Sequence, residues 1–176
     1  MTFRRLFSTA GRFAYTISKG AVMYAIPIAC TCHTAFHYIG EISPSYGPSM
    51  LPTLNVNGDN LIVSRLGNWR NKLRTGDVIV YISPTDPHRR AVKRILGMSG
   101  DTVCVDPTKD ELEYVQVPKG YVWVQGDNHS CSTDSRTYGP IPLALLCGRV
   151  MGCAWPEPRL IRNTMEVVPG QFNKQV

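Results

Sequence analysis

A serine held between prolines and a lysine set in an apolar run are the residues of this chain best suited to do acid–base chemistry together. The serine is Ser49, in Tyr46-Gly47-Pro48-Ser49-Met50-Leu51-Pro52-Thr53. Pro48 fixes its own φ and restricts Gly47, and Pro52 stiffens the exit. Such a turn presents a hydroxyl at a set angle, although taken alone it is also what a plain Pro-rich loop looks like. It is not a G-x-S-x-G elbow, because Leu51 stands at the second glycine position, and it does not open an S-x-x-K motif. A serine nucleophile needs a base. Beyond residue 40 the histidines are His88 and His129, both in loop-like segments. The other candidate is Lys93, in Arg90-Ala91-Val92-Lys93-Arg94-Ile95-Leu96. Side chains alternate along a strand, so Ala91, Lys93 and Ile95 share one face and Val92, Arg94 and Leu96 the other. Lys93 then has apolar neighbours, while Arg94 points away and can be solvated. At an unperturbed pKa of about 10.4, only about 0.04% of lysine is neutral at pH 7, so a lysine base has to be desolvated. The rival reading is a lysine that snorkels from a strand end. A third segment, Gly126 to Arg136, is dense in short polar side chains. It is either a solvated connection or a set of groups that holds the amine and braces its own loop.

The elements that must position these groups are short. From Glu41 on, strand-like runs are Leu61–Ser64, Val78–Ser83, Arg90–Leu96, Thr102–Val105, Tyr114–Val117, Tyr121–Gln125 and Arg149–Ala154, rich in Val, Ile, Tyr and Trp. Asn-Gly (57–58), Thr-Gly-Asp (75–77), Ser-Gly-Asp (99–101) and Pro-Lys-Gly (118–120) separate them. No segment of helical length has clean helical periodicity there. The expectation is one mostly β domain over residues 41–160, with a long irregular loop from Gly126 to Pro140. The polar stretch from Arg159 on reads as frayed, and residues 161–176 as a flexible C-terminal tail.

Residues 1–40 differ in kind. They carry Arg4, Arg5, Arg12 and Lys19 and no acid, so +4 of the formal +6 sits there. A nucleic-acid-binding domain would place a basic stripe on its folded part, so no nucleic acid partner is expected. Residues 1–20 contain Arg, Ser, Thr and bulky apolar residues and no acid, the composition of a mitochondrial transit segment. The run Ala21–Ile39 holds 14 hydrophobic residues of 19 and would reach about 28 Å as a helix, close to the hydrocarbon thickness of a bilayer. It reads as one N-terminal membrane-anchor helix, the alternative being an amphipathic helix lying on the membrane or on a partner. By the charge rule the domain faces the side opposite the basic end. The six cysteines form no C-x-x-C, and no His pair stands at ligand spacing in the domain. Neither a metal nor a cofactor is expected.

Taken together, these segments resemble the type I signal peptidases. Ser49-Met50-Leu51-Pro52-Thr53 matches their S-M-x-P-T box, and Gly76-Asp77-Val78-Ile79-Val80 is similar to their G-D-I-V box. Lys93-Arg94-Ile95-Leu96-Gly97-Met98-Ser99-Gly100-Asp101 resembles K-R-V-x-G-x-P-G-D, and Gly126 to Arg136 matches G-D-N-x-x-x-S-x-D-S-R. The small size, the single anchor and Tyr138-Gly139-Pro140-Ile141-Pro142 are most like the mitochondrial inner membrane branch. The resemblance covers about residues 20–160. It implies a signal-peptidase-like (LexA-like) β domain. It implies Ser49 as nucleophile, Lys93 as general base, Ser132 as the hydroxyl that hydrogen-bonds and orients the Lys93 amine, and Asp134 with Arg136 as the pair bracing the loop. The Ser49 N–H would hold the oxyanion, and the second donor stays open between a main-chain N–H, a water and Ser45, because Gly47 stands where some bacterial members have Ser. The substrate would bind extended, as a strand beside the Gly76–Ser83 and Ser49 segments. The implied activity is removal of N-terminal sorting presequences from precursor proteins of the intermembrane space. The implied partners are those precursors, membrane lipid and a related second protease subunit. The rivals are a self-cleaving repressor, which would need an N-terminal helix-turn-helix, and a non-catalytic structural subunit of a membrane protease complex.

Overall fold

Residues 40–165 owe their shape to runs of Val, Ile, Leu and aromatic residues too short for helices and bounded by Gly, Pro and Asn turns. They form ten strands among the residues that the computed structural model describes: 22–34, 38, 40–109, 111–163 and 165. The chain divides into two units, Met1–Ile39 and Gly40–Val176.

In the first unit, helix α1 (residues 22–34) runs through Pro27 without a break. The Thr31 and Thr34 hydroxyls donate to the carbonyls of Pro27 and Cys30, at 2.7 and 2.8 Å. Hydroxyls bonded one turn back in this way compete mildly with the helix ladder and often bend it. At 1.5 Å per residue the described part of α1 spans about 20 Å. Among the described residues no helix is long and apolar enough to cross a membrane. The basic leader 1–20, part of the end of the apolar run and residues 166–176 of the tail lie outside the described residues.

In the second unit the strands are β1 (Gly40–Ser45), β2 (Asp59–Ser64), β3 (Val78–Ile82), β4 (Arg90–Gly97), β5 (Thr102–Cys104), β6 (Tyr114–Gln116), β7 (Tyr121–Gln125), β8 (Ile141–Pro142), β9 (Leu146–Trp155) and β10 (Arg159–Leu160). The main sheet has the order β1-β2-β9-β3-β4-β7-β8, with β10 on β9, and β5 and β6 form a separate hairpin. All pairings are antiparallel. The sheet is covered on both faces. From β3, Ile79 and Tyr81 enter one cluster with Ile95, Val122, Val124, Ile141 and Leu146. Val78 and Val80 enter the opposite cluster, with Met50, Leu54, Leu61, Val63 and Val150. That is why this strand reads as an unbroken apolar run rather than an alternation. Register shifts between β9 and its partners β2 and β3 mark bulges, which bend a sheet.

The stretch from Arg159 is not frayed at its start. Arg159 and Leu160 pair with Cys153 and Gly152 on β9, and the Ile161 N–H donates to the Met151 carbonyl. The cause is a buried carboxylate: Arg159 donates to Asp59 at 2.7 Å and to the Thr53 carbonyl at 3.1 Å. Burial alone would raise the Asp59 carboxyl, but the backbone and side-chain hydrogen bonds from Asn55, together with Arg159, hold it below the usual carboxylate range. A depressed folded-state pKa stabilises fully above the unfolded value of about 3.9, and the gain is lost as the pH falls below it. Removing one partner of a buried pair is worth about 3–5 kcal/mol. Arg159 is 31% exposed and Asn55 keeps its two bonds. Arg159→Ala should therefore lower stability at pH 7 by about 1–3 kcal/mol, read by urea unfolding, and by less at pH 3, below the unfolded carboxylate value of about 3.9, where part of the gain is already lost.

Candidate active site

The chain leaves β1 at Ser45 and turns at Gly47, whose φ of 110° lies in the left-handed region that only glycine adopts freely. A single 3₁₀ turn follows, Pro48–Met50. Met50 is 2% exposed and roots this turn in the cluster below the sheet, with the Leu54 N–H donating to its carbonyl at 2.9 Å. The residue beside Ser49 is thus an anchor, and Ser49 itself is half-buried with its hydroxyl at the cleft. Its N–H belongs to the first turn of the 3₁₀ segment, where backbone donors have no intrahelical acceptor. Gly47 brings no hydroxyl, and its N–H is spent on the Val56 carbonyl at 3.2 Å.

Lys93 comes from the middle of β4, opposite Ile79 on β3. It is 5% exposed, so it does not snorkel. Its amine donates to Ser49 Oγ at 2.7 Å and to the Val92 carbonyl at 3.1 Å. Burial pushes its proton affinity down; Asp134 and Asp127 pull it back up, and Arg89 lowers it further. Serine and lysine lie 44 positions apart in sequence and line one cavity of about 480 Å³ with Ser45, Tyr81, Cys131 and Tyr138. A hydroxyl bonded to a buried amine is able to lose its proton to that amine once the amine is neutral, and so to attack a carbonyl.

The polar loop closes on this pair from β7. Asp134 caps a one-turn helix, α2 (Ser135–Tyr138), and is fully buried. It accepts from Arg136 Nε at 2.9 Å, the Gly126 N–H at 3.0 Å and the Ser132 hydroxyl at 2.7 Å. Burial would raise its carboxyl, but these bonds hold it below the usual range. The Ser132 proton therefore goes to Asp134, and the Lys93 amine bonds to Ser49 and Val92 rather than to Ser132. Among the described hydrogen bonds none joins Ser132 to Lys93: the Ser132 hydroxyl is oriented by Asp134, and the amine donates to Ser49 and Val92. Gly126 is the close approach in this corner. A Cβ there would lie 2.3 Å from Ser132 Oγ and 2.4 Å from the Ser49 carbonyl oxygen. The Asn128 N–H and side-chain amide also grip the turn, donating to the carbonyls of Ser49 and Pro48 at 3.0 and 3.1 Å.

Two expectations need correction. Arg94 is not solvated; it is 7% exposed. Its guanidinium grips both oxygens of Asp127, at 2.8 and 2.7 Å, and donates to the Gly76 carbonyl at 2.8 Å. Strand alternation gave the correct face, but that face is covered by the Ser49 turn and by the segment after β7. The substrate cannot add beside Gly76–Ser83, because β3 is paired on both sides, by β9 and β4. The strand edges bordering the cavity are β1, which ends the sheet, and the first half of β4, since β7 pairs only from Arg94 onward. Glu41 of β1 and Arg90 of β4 join these edges at 2.8 Å. Neither the Arg94–Asp127 fork nor a hydrogen bond between Tyr81 and Tyr138 was visible in the sequence pattern. The only signal for the fork was an Arg beside Lys93 and a lone Asp just past β7.

A mostly β domain that sets a serine hydroxyl against a buried amine in a cleft edged by two strands has the design of a signal-peptidase-type protease. The family model described as "Signal peptidase, peptidase S26" matches residues 18–113 and 106–155, and the chain belongs to that family. It is 39% identical over 155 residues to the mitochondrial ATP-independent inner membrane protease subunit 1b of Arabidopsis thaliana, covering 85% of this chain and 92% of the relative. It is 44% identical to the mitochondrial inner membrane protease subunit 1 of Xenopus tropicalis, over 78% of this chain and 82% of that one. The subunit 2 protein of Danio rerio is 30% identical over 90% of this chain and 86% of its own length. Among solved structures, a signal peptidase I of Enterococcus faecalis aligns with a TM-score of 0.39 and 23% identity, over 44% of this chain and 95% of that one.

The Gly126 contact gives a direct test. Gly126→Ala forces apart the Ser49 turn and the Ser132–Asp134 corner, and misplacement by about 1 Å costs on the order of 100-fold in rate. Peptide cleavage should fall by about that factor, while the melting curve of the same preparation still shows a folded domain.

Proposed function

We propose that this chain is a membrane-bound serine endopeptidase that removes N-terminal sorting presequences, with Ser49 as nucleophile and Lys93 as general base. The 2.7 Å hydrogen bond between a nearly solvent-free amine and the Ser49 hydroxyl carries the reading. The kinship with mitochondrial inner membrane protease subunits supports substrates delivered to the intermembrane space, a catalytic domain facing that side, and a related second subunit as partner.

The steps follow from the geometry. A precursor enters as an extended strand between the edges of β1 and β4 and places its scissile carbonyl over Ser49. The neutral Lys93 amine accepts the Ser49 proton as Oγ attacks. The oxyanion forms beside the unspent Ser49 N–H. The Lys93 ammonium then protonates the departing amine as the peptide bond breaks; a water attacks the acyl-enzyme, giving a proton to the neutral Lys93 amine, and Lys93 returns that proton to Ser49 Oγ as the ester bond breaks. Asp134 and Arg136 hold the loop, and Ser132 acts as a positioning residue through Asp134. No metal or cofactor is required by these steps.

Ser49→Ala and Lys93→Ala should each abolish cleavage, and the double variant should lose no more than either alone, because the two act as one unit. Cleavage of a precursor measured alongside the thermal melt tests this, and full activity in either folded single variant removes the assignment. The buried amine also makes a claim about pH. Its folded-state pKa lies below the unfolded value of about 10.4, so between the two the unfolded chain binds more protons and stability rises with pH. Activity should climb as the pH passes the folded-state pKa, at the lower edge of that window, since only the neutral amine accepts a proton. Lys93→Met keeps the volume and removes the titration. It should be inactive, at least as stable as wild type at pH 7, and flatter in stability from pH 7 to 10. A wild-type activity profile that stays level over that range would show that Lys93 is not the base.

A further inference from the structure

Tyr81 and Tyr138 are not used by the steps above, yet both line the cavity that holds Ser49 and Lys93. Tyr81 lies on β3 opposite Ala91, one pleat along from the Ile79–Lys93 pair and on the same face of the sheet. It is 1% exposed. Tyr138 ends α2, is half-buried, and packs on the cluster that contains Tyr81, Ile79 and Ile95. The two hydroxyls are hydrogen-bonded to each other. Among the described hydrogen bonds this is the one that joins the turn at residues 134–138 to β3. Tyr138 is part of the same rigid turn as Asp134, whose carbonyl accepts its N–H at 3.3 Å.

We infer that the Tyr81–Tyr138 hydroxyl pair is a clasp: it ties the turn bearing Asp134 to β3 and shuts water away from the Lys93 amine, so that both tyrosines are positioning residues for the proton transfer. The inference rests on Lys93 being the base. Two hydroxyls placed in an apolar cluster must find partners, and a pair of phenylalanines would fill the same space without tying sheet to turn. Burial raises the phenol pKa of each tyrosine above its usual value, so both stay protonated while Lys93 titrates and the clasp does not open with pH.

Opening the clasp moves Lys93 in two opposed directions. Water reaching the amine restores its proton affinity, and withdrawal of Asp134 reduces it. The other charges near the amine are Asp127, which raises its affinity, and Arg89, which lowers it; Asp86 and Arg90 line the same cavity. Burial is the largest of these influences, so the net movement is upward.

The test is the pH profile of kcat/KM for the full-length chain in detergent, on a fluorogenic peptide with small residues around the scissile bond. Wild type, Tyr81→Phe, Tyr138→Phe and the double variant are compared, with Ser49→Ala and Lys93→Ala as controls. Each Phe variant should shift the activity limb upward by about half to one pH unit. That is a loss of about 3- to 10-fold at pH 7 that is recovered at pH 9 to 10, with KM little changed and the double variant no worse than either single one. Profiles superimposable on wild type overturn the clasp. So does an equal loss at every pH, which marks a merely structural role. If Tyr81→Phe does not fold, the half-buried Tyr138→Phe carries the test alone. Activity in Ser49→Ala or Lys93→Ala would instead overturn the assignment of the base, which keeps the two failures distinct.

Discussion

A lysine amine inside an apolar sheet is a liability that the rest of the catalytic domain is built to contain. Its charged form is disfavoured there, and its neutral form is the one that accepts a proton from a serine. The amine has to be dry enough to lose its proton and still close enough to a hydroxyl to use it. Lys93 meets both conditions because its stem rises from the middle of a strand flanked by Ile79 and Ile95, while its tip reaches Ser49 at 2.7 Å. A position at a strand end would give contact with water.

Two arginine–aspartate forks frame that amine, and they explain how a loop can be accurate. Arg94, the next residue along β4, seizes Asp127 just past β7. Arg136 seizes Asp134, which is capped further by Gly126 and Ser132. Between them the segment 126–136 is held at both ends, and the Asn128 and Gly126 contacts place it on the Ser49 carbonyl. Buried ion pairs of this kind contribute little net stability compared with apolar packing. Their value here is geometric, since bidentate forks allow few alternative arrangements. The acid that pulls hardest on the amine, Asp134, has its own charge divided among four donors, so it supports the loop without locking Lys93 in its protonated form.

The sequence pattern was most readable where local preference and burial agree. Every strand rich in Val, Ile and aromatic residues was recognised, because such residues favour pleated, covered surfaces. β1 was missed: Gly-Glu-Ile-Ser-Pro-Ser carries little strand preference of its own, and it is a strand only because β2 pairs with it residue by residue from Gly40 to Ser45. β10 is two residues long and is drawn to the sheet by a charge, Asp59, a hundred positions away. For the candidate site, the residue types that the fold brings together could be read from four short segments, and the hydrogen-bond partner of each could not. Arg94 shows why: alternation tells which side of a strand a residue faces, but not what lies over that side. Ser132 shows the same limit, since nothing local says that its hydroxyl will be oriented by a carboxylate two residues on.

Gly47 ties the backbone to the chemistry in a way that composition alone does not suggest. A serine at that position could supply a second oxyanion donor, and its loss looks at first like a weakened site. The φ of 110° at Gly47 is what carries the chain from the edge strand β1 into the Pro48–Met50 turn, and a side chain there would be strained. The same turn leaves the Ser49 N–H without an intrahelical partner and buries Met50 as the anchor beneath it. β1 in turn remains unpaired on its outer edge, one of the two strand edges that border the cavity. One glycine therefore sets the angle of the Ser49 hydroxyl and leaves the Ser49 N–H without an intrahelical partner beside it. In this protein the backbone of the Ser49 turn does work that a side chain at position 47 could do only by straining it.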